Sequence, residues 1–198
     1  GPIPRILSFQ IHSGHRKGLD IVLKVAEEFP QVDFIIKISP QAVKIAKNKI
    51  GDKKNIKLVT KVLSEKELVQ LYQSCDIYLN PYRGGSFELP PLEAMACGLP
   101  LITTGWGCVL EYCNIQNALL APVTKLSPLF SNSDNLHCGY GAEPDPQDFM
   151  WLTDYTLSHL KQCKAKALLV SEEIRKKYTW ENAIKIFIET CKQIIMED

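Results

Sequence analysis

The sequence predicts an α/β fold, a doubly wound parallel sheet with helices on both faces. Strand-length apolar runs alternate with amphipathic helical runs from Arg5 to Leu120. The strand runs are apolar on both faces, as strands must be when helices cover the sheet from two sides. With 198 residues, 45% hydrophobic and 23% charged, the chain is long enough for one large domain or two small ones with a sizeable core.

Arg5 to Ile11 (RILSFQI) has strand length, and Gly18 to Phe29 places Leu19, Val22, Leu23, Val25, Ala26 and Phe29 at helical spacing. Val32 to Ile38, bounded by Pro30 and Pro40, is a second strand rich in β-branched residues, and Gln41 to Ile50 is a helix candidate. Ile56 to Thr60 is a third strand. Ser64 and Glu67 form a capping box that opens a helix reaching Gln73, and Cys75 to Leu79 returns to a strand. Leu101 to Thr103 and Ala118 to Leu120 are short strands flanking a helical turn at Cys108 to Cys113. Ala121 to Pro146, with four prolines and a Ser131-Asn132-Ser133 run, reads as a long loop or insertion. Asp148 to Gln162 and Lys164 to Lys177 read as helices, and Thr179 caps a last helix from Trp180 to about Met196.

Twenty-three Lys and Arg against 22 Asp and Glu give a formal charge of +1, which removes the electrostatic footprint of a nucleic-acid binder. Seven cysteines without a C-x-x-C spacing read as reduced thiols rather than a disulfide or zinc framework. No apolar run has the length of a membrane span and no signal peptide is seen, so a cytoplasmic location is expected. Gly1 and Pro2 read as a tag-cleavage scar, leaving 3–198 as the domain. Lys44, Lys47, Lys49, Lys53, Lys54, Lys57 and Lys61, opposed only by Asp52, read either as a solvated face or as a patch drawn to an anionic membrane surface.

The stretch Pro81 to Pro100, PYRGGSFELPPLEAMACGLP, is where the chemistry concentrates. Gly84 and Gly85 lead into Pro90 and Pro91, which suit a helix start, and Gly98 suits its end. A helix beginning near Pro90 would turn its amino end and dipole toward the glycine loop, a geometry that attracts phosphate, with Glu93 in its first turn. Tyr82 and Trp106 could stack a base or a sugar, or pack in the core.

Phe87, Leu89, Leu92, Glu93, Ala94, Met95, Ala96, Gly98 and Pro100 together resemble the donor motif of the retaining glycosyltransferases of family 4, which read E-G-F-G-L-x-x-L-E-A-M-A-x-G-x-P and have the two-domain GT-B fold. The resemblance runs from Arg5 to the end, where YTWENAIKIF is similar to the closing helix that braces the other domain. It implies the carboxyl-terminal, nucleotide-sugar-binding half of that fold, the amino-terminal acceptor domain lying outside this chain. Lys17 and Gly18 match the family's G-R-x-x-x-x-K-G loop, whose arginine and lysine bind the donor diphosphate; His12 stands at the arginine position and Ile11 at the glycine, with Gly14, His15 and Arg16 between. Glu93 is implied to hold the ribose hydroxyls, as an ionised carboxylate can accept two bonds from a diol. Gly84, Gly85, Ser86, Phe87 and Leu89 would bring backbone groups to the sugar and phosphates.

The family's first glutamate, which contacts the donor sugar, falls on Gly85, and Glu88 stands where a glycine is usual. Glu88 reaches back, or the sugar is held differently, or the site is degenerate. Lys17 and Glu88 are the catalytic candidates. The implied activity is retaining hexosyl transfer from a nucleoside-diphosphate sugar to a hydroxyl, with neither metal nor other cofactor. A non-catalytic scaffolding subunit of the same fold is the rival reading, and a GT-B epimerase a third.

Overall fold

Along the first strand, β1 (Arg5–Phe9), Ile6 and Leu7 point to opposite faces, and both are wholly buried. The computed structural model describes residues 1–10, 15–129 and 139–197. β1 joins β2 (Asp33–Lys37), β3 (Ile56–Val59), β4 (Ile77–Asn80), β5 (Leu101–Thr104) and β6 (Leu119–Ala121) in one parallel sheet ordered β3-β2-β1-β4-β5-β6. Period-two alternation divides the core. Ile6, Phe34, Ile36, Ile77, Leu79 and Ile102 pack with Val22 and Val25 of α1 (Leu19–Glu28) and Phe149 of α5 (Pro146–Ser158). Leu7, Ile35, Tyr78 and Leu101 pack on the other face with Tyr72 of α3 (Glu65–Gln73), Leu92 and Met95 of α4 (Leu89–Ala96) and Ile174 of α6 (Leu160–Lys177). This is the Rossmann-like arrangement expected for the carboxyl-terminal half of a GT-B fold.

Local signals place most boundaries. A 3-10 turn at Pro40–Ala42 runs into α2 (Val43–Ile50), and Gly98, at φ +79°, ends the turn after α4. The capping box on α3 is complete: Glu67 donates its N–H to Ser64 Oγ at 3.4 Å while its carboxylate accepts from Ser64 N–H at 2.9 Å. Ser64→Ala should lower the melting temperature by about 2–4 °C, measured by differential scanning calorimetry. Asn182 N–H donates to Thr179 Oγ1 at 3.1 Å and so starts α7 (Trp180–Glu197) as expected.

Three expectations need correction. Helix α4 begins at Leu89, so Glu93 lies in its second turn rather than its first. The long loop after β6 contains an antiparallel pair, β7 (Leu126–Pro128) with β8 (Tyr140–Ala142), which proline and glycine mask in the sequence. The break between α5 and α6 falls at His159, where ψ leaves the helical range at +25°, and not at Cys163.

None of the six described cysteines is paired, Cys75 and Cys113 being buried. Burial pushes the Cys113 thiol up to about 12. Cys138 lies outside the described residues. Among the described residues no helix is long and apolar enough to cross a membrane. Of the seven clustered lysines, Lys53, Lys57 and Lys61 meet Glu27, Asp33 and Glu67, which favours the solvated-face reading for those three.

Candidate functional site

The strand order reverses between β1 and β4, and the loops leaving the carboxyl ends of those two strands meet there. Doubly wound sheets bind ligands at this crevice. Gly18 makes the meeting possible: its φ is +76°, and a Cβ on it would lie 1.9 Å from the carbonyl oxygen of Pro81. One residue further along the second loop, the loops are tied by Arg83 N–H donating to the Arg16 carbonyl at 2.7 Å. Gln10 donates to the Lys17 carbonyl at 2.9 Å and so ties the residue after β1 to the one before Gly18.

Lys17 Nζ donates to both oxygens of Glu88, at 2.5 and 2.6 Å, and Arg16 stands 3.8 Å from the same carboxylate. Arg16 also donates to the Gly84 carbonyl at 2.6 Å. Glu88 has φ +62°, the single positive φ outside glycine among the described residues. That backbone turns its side chain back over Gly85, where a Cβ would lie 1.9 Å from Glu88 Oε1. The absence of a side chain at Gly85 and the carboxylate at Glu88 are therefore one arrangement. Tyr112 locks it by donating to the Glu88 carbonyl at 2.6 Å.

The other expected residues are placed unevenly. Glu93 accepts a bond from Tyr72 O–H at 2.8 Å, and Tyr72 stacks on Phe9 at 5.3 Å, so the carboxylate is held on a rigid partner. Burial, with Tyr78 and the Glu93 carboxylate adding to it, pushes the Tyr72 hydroxyl far above its ordinary range, which keeps it a donor. Gly85, Ser86 and Leu89 are exposed at the rim, whereas Phe87 packs on Tyr112 with ring centroids 5.6 Å apart. His15 is exposed, and its carbonyl accepts from Arg83. His12 and Gly14 lie outside the described residues. Tyr82 is wholly buried and donates to the Trp106 carbonyl, which makes it a core residue rather than a stacking platform.

The amino end of α4 offers less than its sequence suggested. Its first three positions are Leu89, Pro90 and Pro91, of which Leu89 alone carries an N–H. The side chains that bring positive charge to Glu88 at this edge are Lys17 and Arg16. Among the described residues no three His, Cys, Asp or Glu side chains gather to hold a metal ion. A cavity of about 210 Å³ lies at the amino ends of β5 and β6, lined by Leu101, Leu119, Tyr155 and Lys166, on the opposite edge of the sheet.

Arg83 was not anticipated. Buried at 3% side-chain exposure, it bonds Asp20 through both terminal nitrogens at 2.9 Å and Glu143 at 2.8 Å, and it receives Ala142 N–H on its carbonyl at 2.8 Å. It thereby straps the β7–β8 pair onto the glycine loop. Its position inside the Pro81 to Pro100 stretch was a usable signal; the acidic partners, distant in sequence, gave none.

The sequence model of the family described as Glycosyl transferases group 1 matches residues 6–132. A protein of Sulfolobus islandicus filamentous virus named "Putative glycosyltransferase 45" is 29% identical over 93% of the chain and 52% of its own length, so the chain spans about half of that relative. Among solved structures, Anabaena Alr3699/HepE in complex with UDP and glucose superimposes with a TM-score of 0.73 at 15% identity, over 96% of this chain and 48% of that one. The C-terminal domain of the glycosyl transferase group 1 family protein LpcC from Francisella tularensis gives 0.65 at 20% identity, over 90% of this chain and 89% of that one. At such identities the likeness to the solved structures is one of fold.

Proposed function

Because the chain belongs to the glycosyl transferases group 1 family, we propose that it is the donor half of a two-domain retaining glycosyltransferase of family 4, moving a hexose from a nucleoside-diphosphate sugar to a hydroxyl acceptor. The observation that carries this reading is the meeting of Lys17, Arg16 and the Gly84–Gly85 loop at the point where the strand order reverses. Lys17 and Arg16 neutralise the diphosphate as it departs, the role a metal ion plays in other phosphate sites. Glu93, fixed by Tyr72, accepts the ribose hydroxyls through its unshared oxygen. Glu88, folded into the space over Gly85, supplies the carboxylate that Gly85 lacks.

The acceptor site belongs to an amino-terminal domain beyond this chain. The exposed Ile184, Phe187 and Ile195 of α7, with 55%, 68% and 74% of their surface open, give that domain an apolar face to rest on. A cytoplasmic enzyme at a membrane surface suits Lys44, Lys47, Lys49 and Lys54, which meet no carboxylate among the described residues.

Calorimetric titration with UDP, GDP, ADP and their hexose conjugates tests the reading. One base should bind selectively, with or without EDTA. Lys17→Met and Glu93→Gln should each weaken it at least about tenfold, as loss of a charge-assisted bond requires. Full-affinity binding in both variants would place the nucleotide elsewhere, and no binding by the wild type would favour the scaffolding alternative.

A further inference from the structure

The cations assigned to the diphosphate already have a partner inside the chain. Lys17 Nζ spends itself on both oxygens of Glu88, and Arg16 faces the same carboxylate at 3.8 Å. The Glu88 side chain is only 4% exposed and those of Lys17 and Arg16 are 16% and 17% exposed, so their attraction is weakly screened. Local preference does not explain the arrangement. A glutamate at φ +62° sits in a conformation that most residues avoid, and its carboxylate occupies the space that a Cβ on Gly85 would need. The surrounding structure holds it there: Tyr112 bonds the Glu88 carbonyl, and Arg16 bonds the Gly84 carbonyl.

We propose that Glu88 is an internal competitor for the anion subsite, so that a diphosphate gains Lys17 and Arg16 only by displacing this carboxylate. The proposal rests on the donor-site reading and adds a consequence to it. Two anions on one ammonium at hydrogen-bond distance repel each other, so ligand and Glu88 compete for Lys17, and the carboxylate turned off Lys17 is the one left to meet the donor sugar. A nucleoside diphosphate, with its terminal phosphate free to ionise, carries about one more negative charge than its sugar conjugate. Repulsion from Glu88 therefore weighs more on the product than on the donor, and the carboxylate acts as a built-in aid to product release.

Inorganic pyrophosphate is the base-independent probe, titrated calorimetrically into the whole chain. Glu88→Gly removes the carboxylate and accepts the left-handed backbone; Glu88→Gln removes the charge at constant volume. Two variants guard against a single folding failure. Both should bind pyrophosphate about tenfold more tightly than wild type, within the usual range of coupling between competing states. Adding Lys17→Met to either should abolish the gain. Pyrophosphate affinity unchanged or weakened in both variants, or absent throughout, overturns the proposal. Nucleotide binding to the wild type, with its loss in Glu93→Gln, is read separately. If that persists while pyrophosphate affinity does not rise, the competitor role alone falls. If nucleotide binding is also missing, the donor-site reading falls with it.

Discussion

Gly18→Ala is expected to abolish nucleotide binding and to destabilise the fold by about 3 kcal/mol. Two costs combine. The φ of +76° at Gly18 suits a residue without a Cβ, and an alanine held there loses about 1–2 kcal/mol against a relaxed backbone. The added methyl would also lie 1.9 Å from the Pro81 oxygen and 2.7 Å from its carbonyl carbon. Both are backbone atoms, so no rotamer change relieves the clash and one loop must retreat. Lys17 is the preceding residue on one loop, while Gly84, Gly85 and Glu88 follow Pro81 on the other. Pushing the loops apart would also break the 2.7 Å bond from Arg83 N–H to the Arg16 carbonyl. A misplacement of about 1 Å at a reacting centre costs roughly a hundredfold in rate, and a nucleotide that needs groups from both loops loses their joint hold when the loops part. Urea unfolding measures the first effect and calorimetric nucleotide titration the second. An alanine variant that binds nucleotide as wild type does would show that the close approach at Pro81 does not position the site.

The fold was legible because its elements are set locally. The both-faces apolar runs of β1, β2 and β4 imply a sheet covered on two sides, and Ser64 with Glu67 marks the start of α3 within one turn. The order of the strands was not legible. It depends on pairings such as Ile6 with Ile77, which no local pattern encodes. The candidate site shows the same division. Lys17 and Glu88 could each be named from their motifs, yet their contact is a product of the β1–β4 pairing. The positive φ that turns Glu88 back over Gly85 is a backbone feature that no local pattern of the sequence encodes. Glu93 was recognisable by its motif, but Tyr72, which holds it, comes from a different helix. The β7–β8 pair escaped because strands of three residues containing Pro128 and Gly141 carry turn chemistry rather than strand chemistry. Gly141 has its own reason: a Cβ there would lie 2.2 Å from the Arg83 carbonyl oxygen.

That junction makes Arg83 the second position at which one substitution should have a large effect. Arg83→Met keeps the aliphatic stem and removes every side-chain bond of Arg83, taking from Asp20 its side-chain donor and leaving Glu143 with Ser127 Oγ and the His15 carbonyl with Gly18 N–H alone. Removing one member of a buried charge pair costs about 3–5 kcal/mol. Here Asp20 is 48% and Glu143 30% exposed, so the abandoned carboxylates can hydrate, and about 2–3 kcal/mol is expected at neutral pH. The loss should carry a pH signature. Burial raises the pKa of both carboxyls, but bonds and charge from Arg83 outweigh it, and each is held below its ordinary value. The folded protein therefore binds these protons less readily than the unfolded chain. Their stabilisation is complete above the unfolded carboxyl range of about 4 and is lost as pH falls through the lower folded values. The wild type should thus lose stability steeply below about pH 4, and Arg83→Met should lose less over the same range. Urea midpoints at neutral and acidic pH measure the difference. An equal gap between variant and wild type at both would mean that packing, and not the Asp20–Arg83–Glu143 charges, fastens β7 and β8 to the glycine loop.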